Sequence, residues 1–121
     1  FIRIRELFNN DLKELKMTLS SYSFSDNETR EGMKSIYSNS GYVAEPHGAI
    51  GYLGLKKYDL SESEFGVFLE TAHPVKFLDV VEDTLPVKVD IPEQIQKVIN
   101  NKKVSIKVSN YDGLKEFLMK S

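Results

Sequence analysis

The stretch Gly66-Val-Phe-Leu-Glu-Thr-Ala-His-Pro-Val-Lys-Phe77 constrains this chain more than any other. A short apolar run gives way to small and polar residues, and a proline then opens a helical pattern. Val67, Phe68 and Leu69 leave no room for alternation, so they predict a strand buried on both faces, as in a parallel sheet covered by helices. Pro74 suits the first turn of a helix, where its missing N–H costs nothing. In an open α/β sheet the groups just past the carboxyl end of a strand face the ligand crevice, which puts Glu70, Thr71, Ala72 and His73 there.

The rest of the chain alternates helix with strand signals. Leu7, Phe8, Leu12, Leu15 and Leu19 recur at spacings of three and four, predicting an amphipathic helix over residues 4–20. Tyr22 and Phe24 alternate with serines as a short strand would. Ser25-Asp-Asn-Glu28 is a capping box for a second helix, with Met33, Ile36 and Tyr37 facing inward and Gly41 ending it in a left-handed turn. Pro46 starts a third helix that runs to Tyr58 and carries Gly48, Gly51 and Gly54. Each glycine inside a helix costs ~1 kcal/mol relative to alanine, so close approach of another backbone or a ligand is the expected compensation. Val75, Leu78, Val81 and Leu85 form the inward stripe of the helix after Pro74. A helix over residues 91–100, a half-exposed strand at Val104-Ser-Ile-Lys-Val108 and a last helix capped by Asn110 follow. The expected fold is α/β, with helices packed on a short, mainly parallel sheet.

At 121 residues the chain reads as a single domain, residues 1–121, with no internal boundary. Its net charge of −2 comes from 16 basic and 18 acidic residues without a basic tract, so charge supports neither nucleic acid nor an anionic membrane as partner. Cysteine is absent, which excludes disulfides and thiolate chemistry and is compatible with a cytoplasmic home. No apolar run approaches the ~20 residues that span a bilayer. The chain begins at Phe1 within a dense apolar pattern, which leads to the expectation that it is a piece of a longer protein.

Two histidines, His47 and His73, each sit beside a proline at a helix start. They lack the spacing of a metal site on one helix, so no metal ligand is assigned. No G-x-S-x-G elbow supports a serine triad. The helix opening at Pro46 could direct free N–H groups and the positive end of its dipole toward an anion, while its glycines could equally serve tight packing.

The blocks Gly-Tyr-Val-Ala-Glu-Pro-His-Gly-Ala-Ile-Gly-Tyr (41–52) and Glu-Phe-Gly-Val-Phe-Leu-Glu-Thr-Ala-His-Pro-Val-Lys-Phe (64–77) closely resemble the C-terminal part of the threonine synthase family, pyridoxal-phosphate enzymes of fold type II. The Glu-Leu-Phe of residues 6–8, the Phe-Ser-Asp-Asn-Glu-Thr of 24–29 and the Asp-Ile-Pro-Glu of 90–93 fit the same family, so the resemblance spans nearly the whole chain.

The resemblance implies the C-terminal part of a large cofactor-binding domain, in an enzyme converting O-phospho-L-homoserine and water to L-threonine and phosphate. It implies cofactor-binding roles for Thr71, which would face the pyridine nitrogen, and for Glu45, Gly48, Ala49 and Ala72 beside the ring. His73 and Lys76 are candidates for the substrate phosphate. No catalytic residue is assigned, because nothing here resembles the Schiff-base lysine motif or the glycine-rich loop for the cofactor phosphate. These residues alone are therefore expected to be inactive and to depend on the remainder of the same polypeptide. Unpaired strand edges would also favour self-association. The competing readings are another fold type II enzyme, such as a threonine or serine dehydratase, and a free-standing α/β interaction domain.

Overall fold

A computed structural model of the chain describes residues 1–120. Among them every regular element is helical and there is no β-strand. The expected parallel sheet is therefore corrected: residues 65–70 and 104–108 carry no ladder, and residues 67–70 keep only the alternating exposure of an extended segment. A strand is defined by hydrogen bonds to a neighbouring strand, and no such ladder is formed among the described residues. The faces differ from expectation too, because Phe65, Val67 and Leu69 are 96%, 80% and 74% exposed, not buried.

The described chain packs as two compact parts, one up to Asp90 and a second from Ile91 onward. In the first part, the single helix expected over residues 4–20 is two helices, α1 (Ile2–Leu7) and α2 (Leu12–Thr18). Asn9 and Asn10 adopt positive φ of 48° and 58° between them. Asparagine tolerates this left-handed region better than other side-chain-bearing residues. Asp11 then caps α2, its carboxylate accepting from the N–H groups of Lys13 at 2.7 Å and Glu14 at 3.2 Å. The leucine spacing was compatible with one helix, but the Asn-Asn-Asp sequence prefers a turn and a new start. Residues 20–25 are irregular where a strand was expected.

α3 (Asp26–Ser40) opens on the expected capping box: Ser25 Oγ accepts from the Glu28 N–H, and Glu28 accepts from the Ser25 N–H at 2.7 Å. It closes at Gly41, whose φ of 72° few other residues adopt without strain. α4 (Pro46–Tyr58) has the bounds the sequence predicts. Pro74 begins a single 3-10 turn to Phe77, which runs into α5 (Leu78–Thr84).

α3, α4 and α5 enclose the core, in which Met33, Ile36, Ala44, Ala49, Val81 and Leu85 are buried, with Tyr37, Tyr52 and Phe77 packed around them. Gly32 permits close approach of α3 to α4, since a β-carbon there would lie 3.0 Å from Leu53 Cδ1. Arg30 fastens α3 to α5 through Asp83 Oδ2 at 2.8 Å and Thr84 Oγ1 at 2.6 Å.

In the second part, the helix expected over 91–100 is regular only as α6 (Glu93–Gln96), followed by turns. Val104 is 91% exposed within the irregular segment that was expected to be a strand. α7 (Tyr111–Lys120) follows Asn110, whose Oδ1 accepts from the Gly113 N–H at 2.9 Å, as its capping position predicts.

Candidate functional site

Two polar turns meet in the first part of the chain: the start of α4 and the end of the extended segment 65–70. Glu45 caps α4 from a fully buried position, and Pro46 fixes the first turn. Its Oε2 accepts from the His47 N–H at 3.0 Å and its Oε1 from the Gly48 N–H at 3.1 Å. The N–H groups that could have faced an external anion are therefore occupied by the chain's own carboxylate. The His47 ring reaches back to Glu45 Oε2 with Nδ1 at 2.8 Å and tilts against Phe77 at 5.0 Å between ring centres.

The extended segment runs antiparallel along α4 and docks with every second residue. Gly66 meets Leu55 and Leu60, Phe68 meets Gly51 and packs edge-on to Tyr52 at 5.9 Å, and Glu70 meets Gly48. A β-carbon on Gly66 would come to 2.6 Å from Leu60 Cδ1. At Gly48 the absent side chain is replaced outright: the Glu70 carboxyl group fills the space a β-carbon would need. The glycine cost inside α4 thus has a concrete cause at this position.

Glu70 Oε1 is buried and accepts no hydrogen bond. Burial raises the Glu70 pKa above the ordinary carboxylate range, and the nearby Glu45 carboxylate raises it further. Tyr42 is pushed up by burial and then by these same two carboxyl groups. An open apolar cleft of about 290 Å³, lined by Ile36, Tyr42, Tyr52 and Phe68 among others, lies along the same α3–α4 surface.

The sequence-assigned residues divide by environment. Thr71 lies beyond Glu70 and is exposed, and Ala72 is half-buried in the bend that follows. Gly48 and Ala49 are buried by the chain itself, Gly48 under Glu70 and Ala49 in the core. His73 caps the 3-10 turn, its Nδ1 accepting from the Val75 N–H at 3.1 Å, which fixes the tautomer with the proton on Nε2 when the ring is neutral. Lys76 is exposed on that turn. The structure thus brings Glu45 and Gly48 together with Glu70, a group that sequence reading placed at the strand end without giving it a contact. Alternation alone puts Glu70 on the same face as Phe68, but only the tertiary structure brings that face against the small residues of α4. Among the described residues no three His, Asp or Glu side chains are grouped so as to hold a metal ion, and no helix is long and apolar enough to cross a membrane.

Comparison with known proteins gives one family. The chain is 42% identical over 121 residues to threonine synthase of Buchnera aphidicola subsp. Schizaphis graminum, covering 97% of this chain and 27% of that protein. It is 40% identical over 120 residues to threonine synthase of Haemophilus influenzae, covering 98% and 28%. The crystal structure of threonine synthase from Escherichia coli superposes with a TM-score of 0.74 at 31% identity, across 98% of this chain and 27% of that one. The chain thus spans 27–28% of the length of these relatives. Residues 48–118 match the family model described as threonine synthase, C-terminal, and the chain belongs to that family.

Proposed function

We propose that this chain serves as the C-terminal portion of an enzyme that converts O-phospho-L-homoserine and water to L-threonine and phosphate with pyridoxal phosphate. The observation that carries the reading is the family match over residues 48–118, which includes the whole turn from Glu70 to Lys76. The donor set fits one edge of a pyridine ring: an exposed neutral hydroxyl at Thr71, followed by the small side chain of Ala72. Pyridoxal phosphate, when bound, supplies the electron sink for elimination and replacement at the β and γ carbons.

Thr71 would donate its hydroxyl proton to the pyridine nitrogen or accept from it. A neutral hydroxyl does not hold a proton on that nitrogen by charge, which tempers the sink and favours replacement over transamination. Glu45, Gly48 and Ala49 lie on the cofactor side of this turn in the same reading, with Glu45 holding the first turn of α4 in place through the His47 and Gly48 N–H groups. Lys76 and His73 supply a cation and an Nε2 donor for the substrate phosphate. The remainder of a longer polypeptide would carry the reactive lysine and cover the exposed edge formed by Phe65, Val67 and Leu69.

The test is an assay of the longer polypeptide that includes this chain, loaded with pyridoxal phosphate and given O-phospho-L-homoserine. Equal release of phosphate and L-threonine is expected, and a Thr71→Asp variant should divert turnover toward side products. Formation of a 2-oxo acid in place of threonine would favour a dehydratase and overturn the assignment.

A further inference from the structure

The least economical feature of this surface is the choice of glutamate at position 70. Its carboxyl group packs on the α-carbon of Gly48 and leaves Oε1 buried without a donor; the Glu45 carboxylate opposes its charge, while the Glu45 backbone N–H and His47 favour it. An apolar side chain would fill such a seat without an unsatisfied acceptor or a like charge nearby, both of which disfavour the folded chain. The carboxyl group is therefore seated by contact with Gly48 and by the polar groups at the start of α4 together.

The place of Glu70 in the backbone gives that seat a consequence. Gly66, Phe68 and Glu70 dock successively on α4, and Glu70 is the last of these anchors before the chain bends at Ala72. Thr71 follows directly and is exposed where Glu70 is half-buried, continuing the alternation of residues 67–70. The direction of the Thr71 hydroxyl is consequently set by where Glu70 is held. The end of α4 on which Glu70 rests is itself rigid, since the buried Glu45 carboxylate bonds both the His47 and Gly48 N–H groups.

We propose that Glu70 is a positioning residue for Thr71: seated on Gly48, its carboxyl group pins the end of the extended segment to the first turn of α4 and fixes the hydroxyl presented to the cofactor ring. This deepens the reading in which Thr71 meets the pyridine nitrogen, and rests on it for its functional consequence.

Two readouts separate the structural part from the functional part. In the longer polypeptide without cofactor, NMR order parameters at Thr71 are compared for the wild type, Glu70→Gln, Glu70→Asp and Glu70→Ala, with Val67 of the same segment as internal control. Glu70→Gln keeps the shape and should retain rigid values, whereas Glu70→Ala should bring Thr71 below about 0.6 with Val67 little changed. Glu70→Asp retains charge but not reach, and should lie between them. In the longer enzyme loaded with pyridoxal phosphate, the cofactor absorption maximum should shift in Glu70→Ala and return in Glu70→Gln. Unchanged order at Thr71 in both Glu70→Ala and Glu70→Asp overturns the inference. Loss of order at Thr71 with an unmoved cofactor spectrum upholds the positioning role and instead removes the contact between Thr71 and the ring.

Discussion

The carboxyl group of Glu70 rests on the α-carbon of Gly48, in the volume that any larger residue would claim for its own side chain. A Gly48→Ala substitution gains helix propensity but forces this carboxyl group out. Overpacking of this kind typically costs about 1–3 kcal/mol, more than the ~1 kcal/mol that alanine returns inside a helix. Denaturant unfolding should show Gly48→Ala destabilised, and combining it with Glu70→Ala should recover part of the loss, since contacting residues couple non-additively. Strict additivity of the two changes would count against the contact.

Glu70 also gives the chain a pH signature. Burial, reinforced by Glu45, raises its pKa, so the folded state holds this proton more tightly than the unfolded state does. Its contribution to stability is complete below the unfolded value of about 4.3 and is lost as pH rises through the folded value. The melting temperature of Glu70→Gln should therefore gain on that of the wild type as pH increases from about 4 to about 7. A gap that stays constant over this range would show that Glu70 titrates as an ordinary carboxyl.

At the start of α3, Ser25→Ala removes the hydroxyl that accepts from the Glu28 N–H and donates to Glu28 Oε2. Loss of such a cap costs about 1 kcal/mol, read from chemical or thermal unfolding. Glu28 is held below the usual carboxylate range first by the Ser25 N–H and then by the Ser25 hydroxyl. An NMR titration of Ser25→Ala should find the Glu28 pKa moved back upward.

In the core, Met33 is fully buried within a cluster that includes Ile36, Val81 and Leu85. Met33→Ala removes that packing and should cost about 2–5 kcal/mol, whereas Met33→Leu, nearly equal in volume, should cost less than about 1.5 kcal/mol. Similar losses for both variants in urea unfolding would indicate that this position depends on methionine's flexibility and not on filled volume.

Local rules made much of this chain legible. Ser25, Glu28 and Gly41 marked the ends of α3, Pro46 marked the start of α4, and Asn110 the cap of α7, because each acts through hydrogen bonds or backbone angles within a few residues. The inward positions Met33, Ile36, Val81 and Leu85 followed from the 3.6-residue period. The same period hid the break at Asn9 and Asn10, where the backbone preference of the intervening residues outweighed the continuing leucine stripe. The two blocks that place the chain in its family were also readable without coordinates.

The sequence by itself therefore determined the helix boundaries set by caps and prolines, the core stripe and the family. Tertiary structure alone decided how residues 65–70 are used. An apolar run has no intrinsic commitment to a sheet, because a strand needs hydrogen-bonding partners that its own residues do not supply. With α4 as its neighbour the segment is extended but unpaired, and side-chain docking replaces the ladder. That arrangement turned Glu70 from one of four small or polar residues after an apolar run into the group seated on Gly48, a contact set by register across 22 positions of chain and invisible to any local pattern.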